Sequence, residues 1–406
     1  MKGGCHVVCL LFYGKSKDAC ENLEAEAVHN TPIYDPHFRQ PNNRHLRLLY
    51  VCSLIYHEAG PVLRTHVSLT HDRQIEVFLR QTHPAQLRAI LTADVVNDGR
   101  FVVQVLTSHH PFTRLHLALQ KLESLKHLRV FEYRQRQSVA RTQAMTLQLA
   151  FKTTLLPNAI PPNLTTYELH LRPAPAARFA LSEQPYTPHM QNLRISLSSW
   201  KPESVSLPAL RHLTLDNVIV NQFGPMTWRP LDYFFLDCQL ESFTYLHNKP
   251  AFELNDRHIM SLAETSLGSQ LRKLVLIGCD GLTTPTIRCC VALLDKLEYF
   301  ALSLITNVTT EDLQPEFLYA LPPQLRVLKI AVTNAQYSEP LLDQEAQLRD
   351  AFEQILLQRS HSPVALFISM RDELLVDSGV GKRWVDVAAE RNISLQIGPW
   401  DKEEGV

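Results

Sequence analysis

Few residues of this chain stand at spacings that could carry chemistry, and each candidate set lacks a member. Ser378-Gly379-Val380-Gly381-Lys382 comes nearest to a phosphate-cradling loop. The Walker form needs a glycine five residues before its Gly-Lys pair and a metal-binding Ser or Thr after the lysine; Val376 and Arg383 occupy those places. The segment therefore reads as an ordinary loop opening a helix. Cys5, His6, Cys9 and Cys20 are of metal-ligating types, yet no second ligand pair follows at finger spacing. His57-Glu58 begins like a metalloprotease helix, but Pro61 stands where the second histidine is needed. No Gly-x-Ser-x-Gly elbow occurs. Cys289-Cys290 read as small apolar fillers on a helix, and Arg134, Arg136 and Arg141 as a solvated helix edge. The expectation is a chain that is not an enzyme and takes no cofactor or metal.

Composition supports that expectation. The 406 residues are 45% hydrophobic and 20% charged, enough apolar material for a large core and too much for a disordered chain. Lys and Arg number 40 against 41 Asp and Glu, a net charge of −1 without the cationic excess that nucleic acid demands. There are 63 leucines and only 13 glycines, a balance that disfavours glycine-rich cofactor loops and favours repeated elements packing on leucine. No apolar run reaches the roughly 18–20 residues of a membrane span. The apolar patch from Cys5 to Tyr13 runs into Lys15, Lys17 and Asp18 with no small-residue cleavage site, unlike a signal peptide. Eight irregularly spaced cysteines do not make a disulfide framework, and the sequons at Asn163, Asn307 and Asn392 carry no weight without secretion. A reduced, cytoplasmic or nuclear protein without membrane or nucleic-acid partners is expected.

The elements that would position any site follow from periodicity. Residues 1–45 show none, and their Pro and Asn punctuation marks a loop-like leader. Leu48, Val51, Cys52, Ile55 and Tyr56 then form one apolar stripe of a helix ended by Gly60-Pro61. Val67-Ser68-Leu69 alternates like a strand, and 73–81 reads as a helix with Ile75, Phe78 and Leu79 on one face. Further helices are expected over 256–267, 284–294, after the polar caps at 309–312, over 340–357 and over 382–390. Strands are expected over 364–368 and 393–397.

Between these helices one pattern recurs, an apolar residue at first, fourth and sixth places. Its copies begin at Leu128, Leu164, Met190, Leu210, Leu231, Leu271, Leu297 and Leu325, giving steps of 36, 26, 20, 21, 40, 26 and 28. Several steps lie in the roughly 20–29-residue window of leucine-rich repeats. In a short strand those three side chains turn inward, and since no copy can cover its apolar face alone, neighbours must stack. Cys279, ninth in the copy starting at Leu271, is expected as a buried structural thiol.

The segment Leu271 to Leu302, "LRKLVLIGCDGLTTPTIRCCVALLDKLEYFAL", resembles the cysteine-containing leucine-rich repeats of ribonuclease-inhibitor-like proteins. Leu46 to Leu69, "LRLLYVCSLIYHEAGPVLRTHVSL", resembles the second half of an F-box and its following strand, carried by Val51-Cys52, Tyr56, Ala59 and Pro61-Val62-Leu63. Together they are similar to the fungal F-box and leucine-rich-repeat proteins. The first F-box half, a Leu-Pro-Pro-Glu-like helix, has no counterpart in residues 20–45; Ala25 to Ile33 is the nearest stretch and does not match. The F-box is thus partial or degenerate, as a missing upstream exon would also make it.

The resemblance implies an α/β fold: a leucine-rich-repeat solenoid, with a curved parallel sheet and helices on its convex side, preceded by a short helical F-box-like segment. The implied organisation is a leader over 1–45, the partial F-box over 46–69, and the irregular solenoid with capping units over 70–406. It further implies a substrate adaptor of an SCF-type ubiquitin ligase, with Leu48, Val51, Cys52, Ile55 and Tyr56 toward the cullin adaptor. The alternative is a stand-alone interaction scaffold. Second, third and fifth places of each copy would face a protein partner on the concave side. Those residues are Arg211, His212 and Thr214; Asp232, Tyr233 and Phe235; Arg272, Lys273 and Val275; Glu298, Tyr299 and Ala301; and Arg326, Val327 and Lys329. Tyr233, Phe235 and Tyr299 among Arg and Lys have the composition of interface anchors.

Overall fold

The computed structural model describes residues 57–58, 64–69, 72–95, 101–102, 115–131, 148–149, 164–170, 178–180, 188–196, 199–201, 205–218, 230–306, 315–334, 339–358, 363–377 and 379–399. The predicted F-box helix residues Leu48, Val51, Cys52, Ile55 and Tyr56, the N-terminal cysteines and the basic stretch after Tyr133 lie outside them. Two compact units result, Met1–Lys201 and Pro202–Val406. Both are α/β, with open, all-parallel main sheets whose strands pair in sequence order.

In the first unit the sheet runs β1 (His66–Leu69), β2 (Thr92–Val95), β3 (His127–Phe131), β4 (Thr166–His170) and β5 (Asn192–Ser196). Helices α1 (Asp72–Gln81), α2 (Pro84–Ala89) and α3 (Leu115–Gln120) join its first three strands. Leu128 pairs with Tyr167, the fourth residue of its copy, so Leu128 is also a fourth residue. The sequence frame that started a copy at Leu128 is therefore three residues late. The true first residue is Leu125, buried at the end of a turn in which its N–H bonds the Leu122 carbonyl at 3.2 Å.

Among the described residues, the main sheet of the second unit has seven strands: β6 (His212–Asp216), β7 (Ser242–Asn255), β8 (Lys273–Gly281), β9 (Tyr299–Thr306), β10 (Val327–Asn334), β11 (Ala365–Ser369) and β12 (Ser394–Ile397). Its helices are α4 (Leu231–Phe234), α5 (Asp256–Glu264), α6 (Thr284–Leu293), α7 (Glu316–Tyr319), α8 (Glu339–Gln358) and α9 (Val380–Glu390). Leu274, Phe300, Leu328, Leu366 and Leu395 stand in one row across the strands, and Leu276, Leu302, Ile330, Ile368 and Ile397 in the next. Most of these are fully buried, each worth about 1.5–3 kcal/mol in apolar burial. The helices bury Ile259 and Leu262, Ile287 and Val291, and Phe317 and Leu318, and pack on one another in sequence.

The local chemistry of each copy explains why its spacing recurs. The first residue closes a turn: the N–H groups of Leu210, Leu271, Leu297 and Leu325 each bond a carbonyl three residues back. The second residue's carbonyl then accepts the second and third N–H groups of the following copy, at 2.7–3.1 Å from Arg211 through Glu298. Neighbours are thus locked in register before the strand begins, and helix caps sharpen the opposite end. Asn255 caps α5 and Thr283 caps α6, while the Asp256 carboxylate accepts from both the Thr283 N–H and its hydroxyl at 2.9 Å.

The expected strand copy at Leu231 is corrected. Pro230, with φ fixed near its required value, stands at the N-cap of the short helix α4, and the Leu231 N–H bonds Ser261 Oγ at 2.9 Å. The strand beside β6 begins instead from Leu240, whose copy reads Leu240-Glu-Ser-Phe243-Thr-Tyr245. Its fourth and sixth places are the buried aromatics Phe243 and Tyr245. With Leu240 in place, the spacings from Leu210 through Leu271 become 30 and 31.

Candidate functional site

Side chains alternate across a strand, so third, fifth and seventh places share the face opposite the leucine rows. In the second unit that face has its own apolar centre. Val275, Ile277 and Ala301 are buried there, with Leu246, Tyr299, Ala331 and Phe367 packed against them. Lys273 on β8 and Lys329 on β10 stand on either side of Tyr299 on β9, their Nζ atoms 5.3 and 5.8 Å from its ring centroid. Lys329 Nζ is also 4.2 Å from the Phe367 ring centroid, and Lys329 itself is only 4% exposed. Ammonium groups within about 6 Å of aromatic faces gain about 0.5–2 kcal/mol each, more as water is excluded. Burial, reinforced by the charge of Lys329, pulls the Lys273 ammonium below the ordinary lysine range.

The predicted partner residues fall in different places. Lys273, Tyr299 and Lys329 come together as described, joined by Val275 and Ala301 in the buried centre. Arg211, Arg272, Glu298 and Arg326 occupy second places, with Glu241 between the first two, so that charge alternates along successive copies. Arg272 pairs with Glu298 at 3.0 Å and Arg211 approaches Glu241 at 3.8 Å, so these exposed charges partly neutralise one another. His212 is exposed on β6. Asp232, Tyr233 and Phe235 are corrected: they belong to α4 and its exit, away from the main sheet. Phe235 is buried, and Tyr233 meets Phe234 edge-to-face at 5.4 Å.

Phe367, Leu246 and Ile277 complete the face and were missed by sequence reasoning. Phe367 was legible in principle, since Leu366 and Ile368 flank it in the spacing of fourth and sixth places.

The first unit's corresponding face is of another kind. Its fifth places read Asp94, Arg129, Glu168 and Arg194 on adjacent strands, a ladder of alternating charge. Arg129 grips Asp94 with both Nε and Nη2, at 2.6 and 2.7 Å, while His66 Nε2 lies 3.0 Å from the same carboxylate. His170 Nε2 is 2.8 Å from Glu168 and its ring stacks on Phe131 at 4.9 Å. Burial would raise Asp94, but the hydrogen bonds and charges of His66 and Arg129 outweigh it and hold the carboxyl below its usual range. Glu168 is likewise lowered against its burial, by His170, Arg129 and Arg194. Carboxylates so firmly ionised are unsuited to act as general acids near neutral pH.

Cys279 is buried, and burial pushes the Cys238 and Cys290 thiols up to about 12. Of the adjacent pair expected as apolar fillers, Cys290 is buried and Cys289 is exposed. Gly381 opens α9 where a Cβ would stand 2.9 Å from the Leu375 carbonyl oxygen, which explains the phosphate-loop look-alike as packing. Among the described residues, no group of three or more His, Cys, Asp or Glu could hold a metal ion, and no helix is long and apolar enough to cross a membrane. The chain matches no known family model and no curated protein.

Proposed function

We propose that this chain is a protein-recognition subunit of leucine-rich-repeat type that holds a partner on the sheet face of its second unit opposite the leucine rows. The observation that carries the reading is the meeting of Lys273, Tyr299, Lys329 and Phe367 around a buried apolar centre. Aromatic rings with cations at the edge of a desolvated patch are the composition of binding hot spots. Among the described residues, this face presents cations and rings but no set arranged as nucleophile, base and oxyanion donor, and positioning is the role proposed for it.

The resemblance of residues 46–69 to an F-box extends the proposal to a substrate adaptor of an SCF-type ubiquitin ligase. Leu48, Val51, Cys52, Ile55 and Tyr56 would face the cullin adaptor, and ubiquitin transfer would fall to other subunits. The sequence before Leu46, which lacks the first half of that motif, favours the second reading, a scaffold with no ligase attached. Both places are tested with the full chain. Mixed with purified cullin adaptor, it should form a complex that Ile55→Asp abolishes; absence of any complex removes the ligase role. A photo-cross-linking amino acid at position 299 should capture partner protein, whereas one at the exposed Val385 on α9 should not. Capture at 385 alone would overturn the sheet-face reading.

A further inference from the structure

We infer that a second copy of this chain docks on α6, the two helices packing antiparallel about a two-fold axis on the helical side of the second unit. α6 reads Thr-Pro-Thr-Ile-Arg-Cys-Cys-Val-Ala-Leu and carries one charge in ten residues. Its inner positions Ile287, Cys290 and Val291 are buried, as packing on the sheet requires. The outer positions are not polar in return. Pro285, Cys289, Ala292 and Leu293 are exposed with Arg288 alone among them, and Leu293 is 52% open to solvent. Other outer faces follow the usual rule: α5 exposes Arg257 and Glu264, and α9 sets its exposed Val385 among Lys382, Arg383, Asp386 and Glu390. On α7, packed beside α6, Tyr319 is 56% exposed, and its hydroxyl donates to Gln354 Oε1 on α8 at 2.8 Å, which holds the ring in place. An outward helix face of this composition marks an interface rather than a solvated surface.

Charge along the stripe identifies the occupant. Arg288 lies midway along α6, and Asp295 lies just past the C-cap Leu294, about two helical turns on. Both are exposed, and among the described residues neither is held in an ion pair. A twin laid antiparallel, with the axis at the level of Val291 and Ala292, reverses that order and sets each Arg288 opposite Asp295 of the other copy. Cys289, Ala292 and Leu293 then meet the same residues of the twin, and the small side chains at 289 and 292 let the helix axes approach to about 8–10 Å. One patch serves both partners, as a two-fold dimer demands. A parallel twin would instead bring like charges together. The stripe lies on the side of the sheet away from Lys273 and Tyr299, so the dimer leaves the proposed recognition face free.

Sedimentation velocity of the full chain over about 1–100 μM is the test, a range suited to the modest affinity of an interface built on one helix. The expected result is a monomer–dimer equilibrium that Leu293→Glu shifts at least about tenfold toward monomer. Arg288→Glu and Asp295→Arg should each weaken the dimer about fivefold, and the double variant should recover most of that loss, since it exchanges the pair rather than removing it. Circular dichroism checks that every variant folds, and Asp386→Asn on the exposed face of α9 should leave the equilibrium unchanged. A chain that stays monomeric throughout, or a dimer indifferent to Leu293→Glu, overturns the inference. So does a double variant that dimerises no better than either single one. Monomeric chain that binds neutral lipid vesicles through Leu293 overturns it too, because the patch would then belong to a membrane surface.

Discussion

Asp94 has no exposed surface, so its charge survives in the fold only because Arg129 and His66 replace the water it has lost. Asp94→Asn keeps the shape but removes the charge, leaving the Arg129 fork facing one accepting oxygen and one NH2 donor. Hydrogen bonds to charged groups contribute about 1.5–3 kcal/mol each, and Arg129 recovers part of its hydration because it is half-buried. The expected loss is therefore about 2 kcal/mol, read as a lower urea midpoint at unchanged slope. A double-mutant cycle with Arg129→Met should show favourable coupling between the two positions; additive losses would mean that the pair contributes nothing of its own. Nothing in the sequence announces this pair. Asp94 sits in the copy Ile90-Leu-Thr-Ala93-Asp-Val95, whose fourth place is a small alanine, and Arg129 was set in a frame three residues late. The stretch around Leu128 satisfies the apolar template in two frames, starting at Leu125 and at Leu128, so spacing alone could not choose between them.

At the scale of the element, the strand after each turn is set by backbone bonds that identity barely affects, and by a few residues that geometry makes obligatory. Gly278 on β8 is one of these. It has φ of +74°, and a Cβ there would stand 2.2 Å from the His247 carbonyl oxygen of the neighbouring strand β7. Gly278→Ala should therefore cost about 2 kcal/mol or more, combining left-handed strain with a backbone collision. Gly379 has a similar φ of +70° but open space around it, so Gly379→Ala should cost about 1 kcal/mol. Thermal midpoints of the two variants separate strain from collision; equal losses would show that the close approach to His247 is relieved by backbone movement. Parallel strands and intervening helices were legible because leucines at first, fourth and sixth places mark them wherever turn and core agree. The copy at Leu240 and the helix at Leu231 were not. Both stretches satisfy the same six-residue template, and only Pro230, fixing a helix start, and Ser261, receiving the Leu231 N–H, decide between them. Ser261 is distant in sequence, so local spacing could not choose. The candidate face was read more unevenly: Lys273, Tyr299 and Lys329 came from position within the motif, whereas Phe367 lay in a strand read without that frame.

For the molecule as a whole, the two sheet faces predict different responses to acid. In the first unit Asp94 and Glu168 have lowered pKa values, and His127 is lowered by burial, with Glu168 opposing. A group lowered on folding binds more protons when unfolded, across the interval between its two values, so the stability it confers is complete above the unfolded value and is lost as pH falls. For His127 that loss begins below about 6.5, and for the two carboxylates below about 4. All three therefore act in the same direction. In the second unit, among the described residues, burial lowers Lys273 and raises the Cys238 and Cys290 thiols to about 12, so no lowered carboxylate or histidine shift is resolved there. Hydrogen exchange followed at pH 7, 5.5 and 4, with rates corrected for intrinsic pH dependence, should show protection falling first in β2, β3 and β4, while β8, β9 and β10 keep theirs. Asp94→Asn should flatten the lower part of that response in the first unit and leave the second unchanged. Simultaneous loss of protection in both units would mean that they unfold as one cooperative body, and that charge in the first unit's ladder governs the stability of the whole chain.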